Sequence, residues 1–388
     1  MFRKLLSLAI VTAAVLAPFS AAAQQPPIPI ESHQVNPDDS ITFRYLAPHA
    51  QTVLVNSDAF LASQPMTKGA DGMWTLTTAP LPPQYYSYSF KVDGITKLDP
   101  FNPITVQNSD TTLPEVYYIA SKVLVPGHPP MPWELTDVPH GAVDHHYFTS
   151  HIVKGLTEDQ DAYVVYTPPH YDPHRKGGYP VLYLLHGWSD VETGWANDGH
   201  ANLILDSLLA AHKAVPMIVV MPLGYGDENF ARHPISIWGD KALVDENLEL
   251  FTKAFETEIM PTVEREYNIA KGPENHAIAG NSMGGQEALT IGLNHPEQFA
   301  WVAGLSAALI GGTFDQLIPH PKADRSKLRL LWVACGTSDG LIRLNRAFAG
   351  WAKQNGLPVT AVETPGKHTF VVWRNNLVQL APLLFQQK

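Results

Sequence analysis

Residues His276 to Gly285 read His-Ala-Ile-Ala-Gly-Asn-Ser-Met-Gly-Gly and force one local shape on the chain. An apolar strand runs into Gly-x-Ser-x-Gly, and a helical pattern begins at once over Gln286 to Leu293. A serine in that context sits on a tight strand-to-helix turn, its hydroxyl held out at the carboxyl edge of a sheet. Gly280 and Gly284 flank it where a side chain would meet the turned backbone. The Met283 N–H falls at a helix start, where a donor without an intrahelical partner can face a developing oxyanion. The pattern points to Ser282 as a nucleophile, the alternative being a structural turn serine.

A serine nucleophile needs a base, and the base needs an orienting acid. In α/β-hydrolases the chain order is Ser, then Asp or Glu, then His. The run Leu328 to Gly336 reads as a buried strand with Asp339 in the loop beyond it. A helical stretch over Leu341 to Asn355 follows, then a strand over Pro358 to Glu363, then Gly366-Lys367-His368 in its exit loop. Asp339 and His368 therefore fall past the carboxyl ends of strands, where open α/β sheets build their sites. Asp339 could instead cap the next helix, and Glu363 is the rival acid, although it lies within the strand pattern. Of seventeen histidines, His368 alone follows His320.

The second oxyanion donor is expected after the strand Tyr179 to Leu185, which ends in His186-Gly187-Trp188. Gly187 permits close backbone approach, and the Trp188 N–H is the candidate donor beside that of Met283. His186 is expected to pack and hydrogen-bond under this loop.

These segments together resemble a known group. Pro180 to Gly187, Pro216 to Pro222, Ala277 to Gly285 and Gly366 to Arg374 are similar to the esterase D group. That group holds feruloyl and acetylxylan esterases of carbohydrate esterase family 1 together with the enterochelin esterases. The resemblance runs from about Gly141 to the C-terminus and implies an α/β-hydrolase fold with nucleophile Ser282, acid Asp339 and base His368. Many relatives have Gly-Gly-His where this chain has Gly366-Lys367-His368, and a smaller residue at Trp188.

Ahead of this region, short alternating runs appear at Ile41–Tyr45, Thr52–Val55, Met73–Leu76 and Tyr85–Val92, and Asp93-Gly94 is a hairpin signal. They predict an all-β, immunoglobulin-like sandwich over residues 29–122. Its Tyr-x-Tyr-x-Phe-x-Val-Asp-Gly run and Asp99-Pro-Phe-Asn102 resemble modules classed with carbohydrate-binding module family 48. Trp74, Tyr86 and Tyr88 could stack on a glycan; alternating aromatics more often form a core or a sheet surface. A Pro-rich stretch, Val125 to Trp133, marks a semi-rigid linker over residues 123–140. Strands alternating with helices over residues 141–388 then predict a mostly parallel sheet. The expected fold class is thus α/β, with a hydrolase domain preceded by a small sandwich.

Residues 1–23 read as a secretory signal: Arg3 and Lys4, an apolar stretch from Leu5 to Ala17, and Ala21-Ala-Ala23 at the cleavage site. Loss of Arg3 and Lys4 would take the net charge from −11 to −13. That balance argues against nucleic acid or an anionic membrane as partner, and no later apolar run is long enough to span a bilayer. Single Cys335 lies within a strand pattern and reads as a buried, inert thiol. The sequence has no metal-binding or phosphate-cradling motif, so no metal or cofactor is expected.

The expectation is a secreted serine esterase. The resemblance implies an ester on a plant polysaccharide, feruloyl first, acetyl second and a siderophore ester third, with acyl transfer as a variant of the same chemistry. A non-catalytic carbohydrate-binding protein is the reading from another class. For a flat feruloyl group, Trp195, Tyr225, Phe230 and Trp238 are candidates to line the acyl pocket, each equally explicable as packing.

Overall fold

The computed structural model describes residues 30–106, 120–233, 235–321 and 326–386. The expected export signal, residues 1–23, lies outside the described residues.

Eight strands, numbered here along the chain, build the main sheet: β1 Ala142–Thr149, β2 Gln160–Thr167, β3 Val181–Leu185, β4 Ile218–Pro222, β5 His276–Asn281, β6 Trp301–Leu305, β7 Leu330–Gly336 and β8 Val359–Thr364. Their spatial order is β1-β2-β4-β3-β5-β6-β7-β8. Strand β2 runs antiparallel to both neighbours, and every pair from β4 onward is parallel. Parallel strands are covered on both faces, which is why β3, β4 and β5 are buried at every position. Alternate residues feed two cores. Tyr183, Leu185, Val220 and Ile278 meet helices Lys241–Ala254 and Met283–Asn294 on one face. Leu182, Leu184, Val219 and Ala279 meet helices Ala201–Ala210 and Phe370–Leu380 on the other.

The helical run expected over Val244 to Tyr267 is broken by a wide turn at Phe255–Ile259 before Met260–Glu266 resumes. Pro261 explains the wide turn, because it has no N–H to return to the preceding turn.

The N-terminal region packs two antiparallel sheets around Ile41, Phe43, Val55 and Phe90. Trp74, Tyr86 and Tyr88 belong to that core, so their rings are not a glycan platform. Asp93 and Gly94 have positive φ (46° and 88°) and join Gln84–Val92 to Ile95–Lys97 with Val92 opposite Ile95, as the hairpin signal requires. The last strand, Ser121–Val125, pairs with Gln84–Val92 and carries the sandwich past residue 122 into the stretch expected to be linker. That stretch is not a free spacer. Trp133 is buried in the hydrolase core, and Glu134 Oε1 accepts the N–H groups of Gly127 and Met131 at 2.7 and 2.9 Å.

The two domains meet through buried polar groups. Arg374, on the C-terminal helix, donates to Gln84 Oε1 at 2.8 Å and the Tyr85 carbonyl at 2.6 Å in the sandwich, and to the Asp198 carbonyl in the hydrolase domain. In the other direction, Lys122 of the sandwich donates to Asp198 Oδ1 at 2.6 Å and the Asn197 carbonyl at 2.8 Å. Tyr85 also stacks on His200, with ring centroids 4.4 Å apart. Among the described residues, no helix is long and apolar enough to cross a membrane.

Candidate active site

Strand β5 lies in the middle of the sheet and delivers Ser282 at its carboxyl end. The backbone there is strained: Ser282 has φ 55° and ψ −114°, a conformation costing an L-residue about 1–3 kcal/mol. Its N–H donates to the Leu305 carbonyl at 2.9 Å, and its carbonyl accepts the N–H groups of Gln286 and Ala308 at 3.1 and 2.9 Å. The flanking glycines serve close approach. A Cβ on Gly280 would lie 2.4 Å from the Gly284 carbonyl oxygen, and one on Gly284 2.4 Å from that of His186.

Asp339 follows β7 and His368 follows β8. Ser338 N–H donates to the Gly366 carbonyl at 2.8 Å, lacing the two loops together. Gly366 has φ 132°, which excludes a side chain. In this frame His368 Nε2 lies 2.9 Å from Ser282 Oγ, and His368 Nδ1 lies 2.8 Å from Asp339 Oδ2. The other Asp339 oxygen accepts the Leu341 N–H at 2.8 Å. Burial pushes the Asp339 carboxyl up, but hydrogen bonding and the charge of His368 outweigh it and hold the group below its ordinary value. An anionic Asp339 therefore accepts the Nδ1 proton and leaves Nε2 as the base facing Ser282. Trp373 stands edge-on to the His368 ring at 5.0 Å and donates to Ser306 Oγ at 3.1 Å, packing the imidazole from the side. The rival acid Glu363 is taken by Arg346 in two 2.7 Å hydrogen bonds.

Met283 is the first helical residue, so its N–H has no intrahelical acceptor. Gly187 brings the opposite loop close: a Cβ there would be 3.1 Å from Ser282 Cβ. His186 is buried under that loop. Its Nε2 accepts the Gly224 N–H at 2.8 Å, which assigns the proton to Nδ1, 2.8 Å from the Gly187 carbonyl.

Ser282 and His368 open into a cavity of about 250 Å³ between the two domains. Trp188, Phe370 and Trp373 line it from the hydrolase side; Asp58, Tyr85 and Ser87 line it from the sandwich. The four aromatics expected to form an acyl pocket stand outside this lining. Trp195 is fully buried, donates to the Leu185 carbonyl at 2.9 Å and supports Phe370 edge-on at 5.4 Å. Tyr225 is also buried and donates to the Asp190 carbonyl at 3.0 Å. Phe230 and Trp238 pack against each other at 5.3 Å beside a separate small recess. All four follow sheet strands, but Trp195, Phe230 and Trp238 lie in short helical turns and not in loops, and the rings of Trp195 and Tyr225 are spent in packing. Phe370 and Trp373 carried a usable signal, since both belong to the Gly366 to Arg374 motif. The sandwich residues carried none, because only docking brings them to the site.

The comparisons accord with this geometry. The family model described as "Putative esterase" matches residues 157–384. The chain belongs to this esterase family. An endo-1,4-beta-xylanase/feruloyl esterase of Xylanibacter ruminicola is 29% identical over 92% of the chain, which spans only 46% of that relative's length. Among solved structures, a ferulic acid esterase of Anaeromyces mucronatus aligns over 65% of this chain and 93% of its own, at 21% identity and TM-score 0.56. The enterobactin esterase of Shigella flexneri aligns over 88% of this chain and 92% of its own, at 19% identity and TM-score 0.65. At those identities the two structures speak for the fold alone.

Cys335 is buried in β7, and burial pushes its thiol up to about 12, so it stays protonated near neutral pH. His145 and His146 point to opposite faces of β1, toward Glu192 (3.0 Å) and the Tyr267 hydroxyl (2.6 Å).

Proposed function

We propose that this protein is an exported serine carboxylic-ester hydrolase whose substrate is a hydroxycinnamoyl ester, most simply feruloyl, on a plant polysaccharide or its fragments. The observation that carries the reading is the His368 imidazole, placed between Ser282 Oγ and Asp339 Oδ2 at the mouth of a partly aromatic cavity. His368 takes the hydroxyl proton as Ser282 attacks the ester carbonyl. Asp339 fixes the tautomer and stabilises the imidazolium. The Met283 and Trp188 N–H groups hold the oxyanion, each such donor being worth about 3–4 kcal/mol. The alcohol leaves with the proton from His368, and water activated by the same imidazole releases the acid from Ser282.

The feruloyl preference is supported by the name of the Xylanibacter ruminicola relative and by Tyr85, Phe370 and Trp373 in the cavity lining. Hydrolysis of methyl ferulate beside 4-nitrophenyl acetate tests it, with Ser282→Ala as control. Ferulate release that vanishes in the variant is the expected result. Acetate release alone would replace feruloyl by acetyl, and turnover of neither ester would remove hydrolysis of such esters from consideration.

A further inference from the structure

The sandwich side of the cavity holds a carboxylate that the triad does not use. Asp58 follows the sandwich strand Val53–Ser57 and lines the cavity that also holds Ser282 and His368. Its Oδ1 accepts the Ser87 N–H at 3.0 Å, and its own N–H donates to the Ser87 carbonyl at 3.3 Å, so two backbone bonds fix the residue. Among the described residues its Oδ2 has no hydrogen-bond partner, and the half-buried group faces the cavity between the domains. The loop is also tied to the catalytic histidine, because Lys367 Nζ donates to the Phe60 carbonyl. A carboxylate held rigidly, with one oxygen open to a cavity walled by Tyr85, Phe370 and Trp373, is built to meet a polar group on a ring.

We propose that Asp58 is a specificity-determining residue whose open oxygen hydrogen-bonds a ring hydroxyl of the bound ester, making the sandwich a wall of the active site. This rests on the ester-hydrolase reading above. Burial pushes the Asp58 carboxyl up to about 7, against the pull of Arg374, so near neutral pH the group can accept from a hydroxyl or donate to one. The hydroxyl can come from either side of the ester, a phenolic acyl group or a sugar alcohol.

The test is a cycle of Asp58→Ala against the hydroxyl, using methyl ferulate, methyl cinnamate (no ring hydroxyl), feruloyl arabinose and 4-nitrophenyl acetate. For a phenolic hydroxyl, the variant loses about 10- to 100-fold in kcat/KM on methyl ferulate and much less on methyl cinnamate. For a sugar hydroxyl, the extra loss appears only with feruloyl arabinose. In both cases acetate turnover stays near wild type, which separates failure of this proposal from failure of the hydrolase assignment. Equal losses on all four esters, no loss on any, or a wild type that turns over acetate but no ferulate ester would overturn it. Should the alanine variant fold poorly, Asp58→Asn keeps the Ser87 bond through its side-chain oxygen; the same substrate-selective pattern, with a smaller loss, is then required.

Discussion

The hydrolase and sandwich walls of the cavity hold their polar groups differently. On the hydrolase wall each member of the Ser282–His368–Asp339 chain is oriented by the next, and the carboxylate at its end has both oxygens engaged. On the sandwich wall Asp58 keeps one oxygen uncommitted. The first arrangement suits a reacting centre, where geometry must be set before substrate arrives. The second suits recognition, with an oxygen left for a ligand hydroxyl as proposed above. Joining the two walls is Arg374, which sits six residues after His368 and donates into both domains.

The largest effect separates the walls outright. Ser282→Ala should lower turnover by about 10⁶ while leaving binding of a ferulate ester largely intact, measured by kinetics and by titration of the variant. A residual rate within a hundredfold of wild type would move the nucleophile elsewhere. Next comes the joint. Arg374→Met removes three hydrogen bonds of a buried guanidinium, and a hydrogen bond to a charged group is worth about 1.5–3 kcal/mol. Urea unfolding should weaken accordingly, with the sandwich melting ahead of the hydrolase domain. A single unshifted transition would mean that Arg374 does not couple them. Smaller still is Trp373→Phe, which keeps a ring against His368 but deletes the bond to Ser306. One neutral hydrogen bond is worth about 1 kcal/mol, so kcat should fall by roughly five- to tenfold with KM little changed.

The hydrolase wall was legible in the sequence and the sandwich wall was not, for a physical reason. A strand, a glycine-flanked serine and a helix are dictated within ten residues, and the Asp and His loops follow strands whose apolar runs are equally local. The alternating strands of the N-terminal region were readable for the same reason, down to the Asp93-Gly94 turn. Nothing local marks Asp58 or Tyr85, because their role depends on how one folded domain seats on another. The aromatic candidates show the converse. Trp195 and Tyr225 follow sheet strands as pocket residues would, but chain position does not fix side-chain direction, and both rings point into packing. The Pro-rich stretch makes the same point: its prolines predict extension, while Trp133 and Glu134 fasten it down through contacts that chain position does not reveal.

The smallest effect concerns a carboxylate on the hydrolase side that breaks the rule of engagement. Glu287 lies one helical turn after Met283, is 1% exposed, and neither of its oxygens has a hydrogen-bond partner among the described residues. Burial raises its carboxyl well above the ordinary 4.5, so the folded protein holds this proton more tightly than the unfolded chain does. Stability must then fall as pH rises above the ordinary carboxylate range, because folding either retains a proton the solvent would take or buries a charge. Glutamine has the same shape and no proton to lose. Glu287→Gln should therefore match wild type in thermal midpoint near pH 4 and exceed it by a margin that widens toward pH 8. Taking the difference between the two proteins cancels the titration of Asp161 and Asp190, whose carboxyls burial also raises. A margin that is flat with pH would mean that Glu287 finds in solution the partner its burial calls for, and that this wall is fully engaged after all.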